Sequence, residues 1–277
     1  LKKLKPFIKA AFILIAFIII FQKINIQELK NIKITSPFYL FLAFLSFNLS
    51  QIISALRVHM YLKNIKVTPT FKKQLMLYYV GMFYNTLLPG GIGGDAYKAY
   101  KFEKSYSQGY KKIIKALLID RISGLFAIFI LISALIFLSS FKQFVIFSAI
   151  LLIVSPFILY FLHKYFFVEF TKSFLKNLFL SIVIQSLQAL AFLFILFALN
   201  IHSHLIDFIV LFFISSIISV IPISVGGVGL RELTFLYGLD MLHLNATIGV
   251  VAAFLFFVIS VISSAIGALF IKGVKNV

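Results

Sequence analysis

Residues 87–100, LLPGGIGGDAYKAY, and 220–233, VIPISVGGVGLREL, decide the fold, because each closes a short apolar run (74–88 and 207–222) with a proline and a glycine cluster. A helix needs about 20 apolar residues to cross the hydrocarbon of a bilayer. Both runs are therefore marginal as spans. Around them lie six further apolar segments, at about 7–21, 38–57, 113–138, 143–162, 177–199 and 244–271. The 277 residues are 62% hydrophobic with a mean hydropathy of +1.08, whereas a soluble domain is about half apolar. The reading is an all-α polytopic membrane protein, a single integral membrane domain over residues 1–277.

Charge decides how the segments cross. The chain carries 26 Lys and Arg against 8 Asp and Glu, a net charge of +18. In a soluble protein this would suggest nucleic acid. Here the aromatic residues are phenylalanines within apolar runs, so no nucleic-acid partner is expected and the basic loops face anionic lipid headgroups. If all eight segments crossed with the N-terminus inside, eleven basic loop residues would lie inside and thirteen outside, against the positive-inside rule. If the two glycine-bearing segments return to their own side, nineteen lie inside and five outside. The expectation is thus six full crossings and two re-entrant Gly-rich hairpins, with both termini cytoplasmic in the cell (cytoplasmic) membrane.

Each half, about 1–140 and 141–277, then reads helix, helix, Gly hairpin, helix. Three crossings per half invert the second half relative to the first, an inverted repeat of the kind that builds transporters. The hairpins share a local pattern: Gly90-Gly91-Ile92-Gly93 and Gly226-Gly227-Val228-Gly229, with Asp95 and Arg231 each two places on. The first run ends Phe21-Gln22-Lys23 without a small-residue cleavage site, so a retained helix is expected rather than a removed signal peptide.

Glycine clusters expose backbone N–H groups that can hold an anion. Irregular backbone within a membrane must be buried in protein or line a wet cavity; close helix packing through small residues is the alternative. Ionisable residues near the clusters favour the cavity. The three arginines, Arg57, Arg121 and Arg231, lie in or beside apolar segments, while lysine fills the loops. An arginine fork suits phosphate or carboxylate. With Asp95, Asp120 and Glu232 they form a set whose insertion each costs about 2.5–3.5 kcal/mol unless paired or hydrated. Asp120 and Arg121 are adjacent and cannot face each other on a helix. The expected partners are Arg231 for Asp120 and Asp95 or Glu232 for Arg121, with an ion network that binds no ligand as the alternative. Arg57, at the end of its apolar run, reads as an interfacial anchor; Lys98 and Lys101, interleaved with Tyr97 and Tyr100, read as a headgroup contact face. His202 and His204 lack the further ligands of a metal site. No nucleophile constellation and no nucleotide-binding motif is present, so neither an enzyme nor a cofactor is expected.

The motifs NTLLPGGIGGDAYKAY (85–100), IDRISGL (119–125) and PISVGGVGLREL (222–233) resemble the flippase-like transmembrane family typified by the N-terminal region of bacterial lysylphosphatidylglycerol synthases. The resemblance covers essentially the whole chain. It implies a bacterial or archaeal membrane protein that moves a lipid or lipid-linked headgroup between leaflets. It places Asn85, Pro89, Gly90, Gly91, Gly93, Gly94, Asp95, Asp120, Arg121, Gly226, Gly227, Gly229, Arg231 and Glu232 on matching positions. All of these except Pro89 are the expected substrate-binding set. Lys98 stands where the family often has arginine. Bifunctional members also carry an aminoacyl transferase domain, which is not expected here. The expected function is a lipid translocase whose partners are lipids with an anionic or phosphate-bearing headgroup, with a membrane enzyme or a second copy as possible associates. The alternatives are an ion-coupled transporter of a small soluble anion and a non-transporting partner of an envelope glycosyltransferase.

Overall fold

The computed structural model describes residues 14, 18–20, 22–23, 26–87, 93–220 and 227–274; most of the first apolar segment and Gly90, Gly91 and Gly226 lie outside them. The described residues are all-helical, without a strand. Among the described residues, the helices with defined bounds are, in order, α1 (Ile26–Asn31), α2 (Pro37–Asn64), α3 (Phe71–Leu87), α4 (Gly93–Tyr106), α5 (Tyr110–Ile136), α6 (Val145–Phe166), α7 (Phe174–Ala198), α8 (Leu205–Ile218), α9 (Leu230–Asp240) and α10 (Ala246–Phe270). Short 3₁₀ turns precede α6 and α7. The segments containing α2, α5, α6, α7 and α10 are long and apolar enough to cross a membrane, as expected of a multi-pass membrane protein.

Local chemistry sets several boundaries. Ser36 precedes Pro37, which takes the first turn of α2, where a missing N–H is harmless. Asn245 starts α10 by accepting the backbone N–H groups of Thr247 and Ile248. Gly227 and Gly229 have φ of +83° and +85°, a conformation that side-chain-bearing residues rarely adopt. They turn the chain sharply into α9.

Each short apolar helix packs against the more polar helix that follows it. These are the α3–α4 and α8–α9 pairs, and each has its own core. Around α3–α4, Val58, Leu62, Leu77, Val80, Ala99, Phe102, Ile113 and Ile119 form one cluster. Around α8–α9 the core is aromatic: Phe192 of α7 stacks on Phe212 of α8 at 4.8 Å and on Phe235 of α9 at 5.2 Å. Phe256 of α10 meets Phe212 edge-on at 4.8 Å. Such offset and T-shaped contacts add to area burial.

α2 lies along α7 and joins the two cores. The remaining contacts come in exchanged pairs. α3 packs on α10 and α8 on α5; α2 on α5 and α7 on α10; α4 on α5 and α9 on α10. α6 packs mainly on α5, with Ser148, Ser155, Leu159 and His163 as its buried stripe.

Candidate functional site

The polar residues of the long helices fall on facing stripes. Gln51, Ser54, Arg57 and Tyr61 recur every three or four residues along α2, and Asn177, Ser181, Gln185 and Gln188 do so along α7, the spacing of one helix face. Because α2 and α7 lie together, these stripes meet inside the bundle. α5 adds Asp120, Arg121 and Ser123.

Arg57, 5% exposed, donates from Nε to Asp120 Oδ1 at 2.7 Å and from Nη1 to Ser181 Oγ at 2.7 Å. One turn on, the Tyr61 and Ser123 hydroxyls share a hydrogen bond of 2.6 Å. The interfacial role read for Arg57 is therefore corrected. The residue lies two turns before the end of α2, and its fork joins three helices. The Asp120–Arg231 pairing is corrected as well, since Arg57 is the partner of Asp120.

At the start of α4, Asp95 holds two cations. Its Oδ1 accepts from Lys98 Nζ at 2.6 Å, and its Oδ2 accepts from Arg121, which thus takes Asp95 and not Glu232 as its carboxylate. The headgroup-contact reading of Lys98 and Lys101 is corrected. Both are buried, at 6% and 7% exposure, and Lys98 lies over the Tyr78 ring with Nζ 5.2 Å from its centroid. An arginine would not replace it simply, because the Lys98 stem packs in the space left by Gly81.

These ion pairs border a cavity of about 430 Å³ between α2, α3, α4, α5 and α7, reached also by Val220 beyond α8. Gln51, Ser54, Tyr78, Asn85, Gln185 and Gln188 supply its uncharged polar lining. Beside it, an apolar groove of about 420 Å³ runs between α4 and α5, lined by Ala96, Ala99, Ile114, Leu117 and Leu118. Asp95 and Arg121 line both spaces. The Arg121 side chain is 45% exposed. A polar chamber and an apolar slot thus meet at one ion pair.

The described glycines of the two clusters serve the helices. Asn85 Oδ1 accepts the Gly94 N–H at 2.7 Å, and Glu232 Oε2 accepts the Gly229 N–H at 2.7 Å. Gly93 and Gly94 open α4 as part of the helix, and Gly227 and Gly229 shape the turn into α9.

Of the second glycine segment, Val220 reaches the cavity, and residues 221–226 lie outside the described residues. Among the described residues, Arg231 and Glu232 do not line the cavity. Arg231 bonds Ser216 Oγ at 3.2 Å and lies over the Phe256 ring at 5.4 Å. Buried Glu232 caps its own helix. The reason is the inversion of charge: α4 presents an anion to cations, whereas α9 presents its arginine to aromatic faces.

Reasoning from sequence missed Arg57 and Lys98 as lining residues, together with Gln51, Ser54, Tyr78, Gln185 and Gln188. The signal was present in the polar stripes of α2 and α7. His204 Nδ1 lies 3.2 Å from Asp207 Oδ2, and Asp207 also accepts Ser140 N at 2.6 Å and Ser140 Oγ at 2.8 Å, tying the α5–α6 connection to the start of α8. No group of metal-binding side chains occurs among the described residues.

The sequence profile of the lysylphosphatidylglycerol synthase TM region matches residues 7–267. A UPF0104 membrane protein of Pyrococcus horikoshii is similar, with 34% identity over 86 residues that make up 30% of this chain and 26% of that protein. The match thus spans about a quarter of the relative's length. No solved structure matches the chain.

Proposed function

Because the chain belongs to the lysylphosphatidylglycerol synthase transmembrane-region family, we propose that it is a flippase-like lipid translocase in which a phosphate-bearing headgroup occupies the polar cavity while the acyl chains stay in apolar surroundings. The observation that carries this reading is the junction at Asp95 and Arg121 of a polar cavity and an apolar groove. A soluble anion would need the first space but not the second. An amphiphile needs both. Arg121, half-exposed at the junction, meets the headgroup first, and its planar fork suits a phosphate.

The transport geometry follows the same reading. α3 and α8, at 17 and 14 residues, rise about 26 and 21 Å, short of the roughly 30 Å of hydrocarbon. They serve as the inward arms of two re-entrant hairpins that return through α4 and α9. The exchanged packing of α2–α5 with α7–α10 supports two halves related by inversion. So do the helix starts: Pro37, Phe71, Gly93 and Tyr110 are followed at a near-constant interval by Phe174, Leu205, Leu230 and Ala246. The six crossings put both termini on the cytoplasmic face of the cell membrane. Transport is downhill or ion-coupled.

Proteoliposomes holding a headgroup-labelled phospholipid test the function. Wild-type protein is expected to expose inner-leaflet label to a membrane-impermeant quencher, and Arg121→Ala is expected to slow this by roughly tenfold or more, the equivalent of one lost charge-assisted contact. Label that stays protected with wild-type protein, or an unchanged rate in the variant, overturns the reading.

A further inference from the structure

The charges of the cavity form two groups of different character. Arg57 and Asp120 are a closed pair, one cation to one anion, with side chains 6% and 13% exposed. The second group is Asp95 with Lys98 and Arg121, one carboxylate to two cations. Among the described residues, the charged lining of the cavity is therefore three basic and two acidic side chains.

One surplus positive charge in surroundings of low dielectric favours a ligand of opposite and equal charge. A phosphodiester with no other charge supplies it. A zwitterionic headgroup leaves the surplus in place. A net cationic headgroup raises it.

The three side chains of the second group are also unequally held. Lys98 is 7% exposed, with its stem packed in the space left by Gly81 and its ammonium over Tyr78. Arg121 is 45% exposed at the opening to the groove. Resting on the lipid-translocase reading above, we propose that the cavity selects a monoanionic phosphodiester headgroup, and that Asp95 stands in for that anion until the ligand takes over Arg121. Asp95 then keeps Lys98 as its partner, so neither carboxylate nor ammonium is left bare. Asp95 is a built-in competitor as well as a structural anion.

Equilibrium binding tests this separately from transport. Purified protein in phosphatidylcholine nanodiscs is titrated with phosphatidylglycerol, phosphatidylethanolamine, lysyl-esterified phosphatidylglycerol and soluble glycerophosphoglycerol, with bound ligand read by native mass spectrometry. Wild-type protein is expected to prefer phosphatidylglycerol over the cationic lipid by roughly tenfold or more. Asp95→Asn is expected to tighten phosphatidylglycerol binding by a similar factor, and Arg121→Gln to bring the three lipids together. Equal or tighter binding of the cationic lipid overturns the proposal, as does a phosphatidylglycerol preference that survives Arg121→Gln. Should a variant fail to fold, the wild-type preference decides. Glycerophosphoglycerol binding as tightly as the lipid would uphold the charge selection and contradict the lipid reading. Charge-selective binding without label exposure would contradict transport alone.

Discussion

Asp120→Ala is expected to cost about 3–5 kcal/mol of folding stability, the range for breaking a buried ion pair from one side. The Arg57 guanidinium would remain, at 5% exposure, among α2, α5 and α7 with Ser181, among the described residues, as its one hydrogen-bond partner in place of two. Because those helices join the two cores, the loss is expected to lower the apparent melting temperature of the whole protein in detergent rather than loosen one end. Replacing both partners, Arg57→Met with Asp120→Leu, removes the bare charge and is expected to recover much of the loss, since apolar replacements of buried pairs are often tolerated. Arg57→Lys is not expected to substitute, because a single ammonium cannot hold Asp120 and Ser181 in the geometry of a planar fork. A double variant no more stable than Asp120→Ala would contradict the pairing.

Gly94→Ala is expected to be comparably severe, and the glycine facing it offers an internal control. A methyl group on Gly94 would collide with the carbonyl of Gly81 across the α3–α4 contact. Backbone atoms cannot rotate away, so the helices must part, at a cost above the roughly 1–3 kcal/mol usual for overpacking. The same methyl on Gly81 would first meet the Lys98 stem, Cδ and Cε at 3.1 Å and Cγ at 3.3 Å, and that flexible stem can shift. Gly81→Ala is thus expected to keep most of the stability while disturbing the Asp95–Lys98 pair. Comparable melting temperatures for the two variants would refute this account of the α3–α4 contact.

The apolar runs and the charge balance made the helical membrane class and most of the long helices legible. α4 and α9 are not apolar, so only their glycine clusters betrayed them. Arg57 was misplaced because the run 38–57 stops at it, whereas α2 continues to Asn64 on Val58, Tyr61 and Leu62, which are buried in protein. Hydropathy cannot tell an arginine at a helix end from one facing another helix. The polar stripes of α2 and α7 have a readable period, but period gives a face and not its partner. For the same reason Arg121 and Arg231 look alike in sequence. One lies at an open junction and the other over Phe256, a difference set by contacts between helices distant in the chain.

The α4–α5 groove is the feature on which the proposed lipid translocation rests, and the chain's lack of cysteine makes it accessible to direct closure. Ala96 and Leu118 line the groove on opposite helices and are exposed. In the double variant Ala96→Cys with Leu118→Cys, a short reducible thiol cross-linker is expected to stop headgroup exposure in proteoliposomes, and reduction to restore it, with each single variant insensitive to the reagent. Exposure that continues at the wild-type rate with the cross-link in place would contradict entry through this groove.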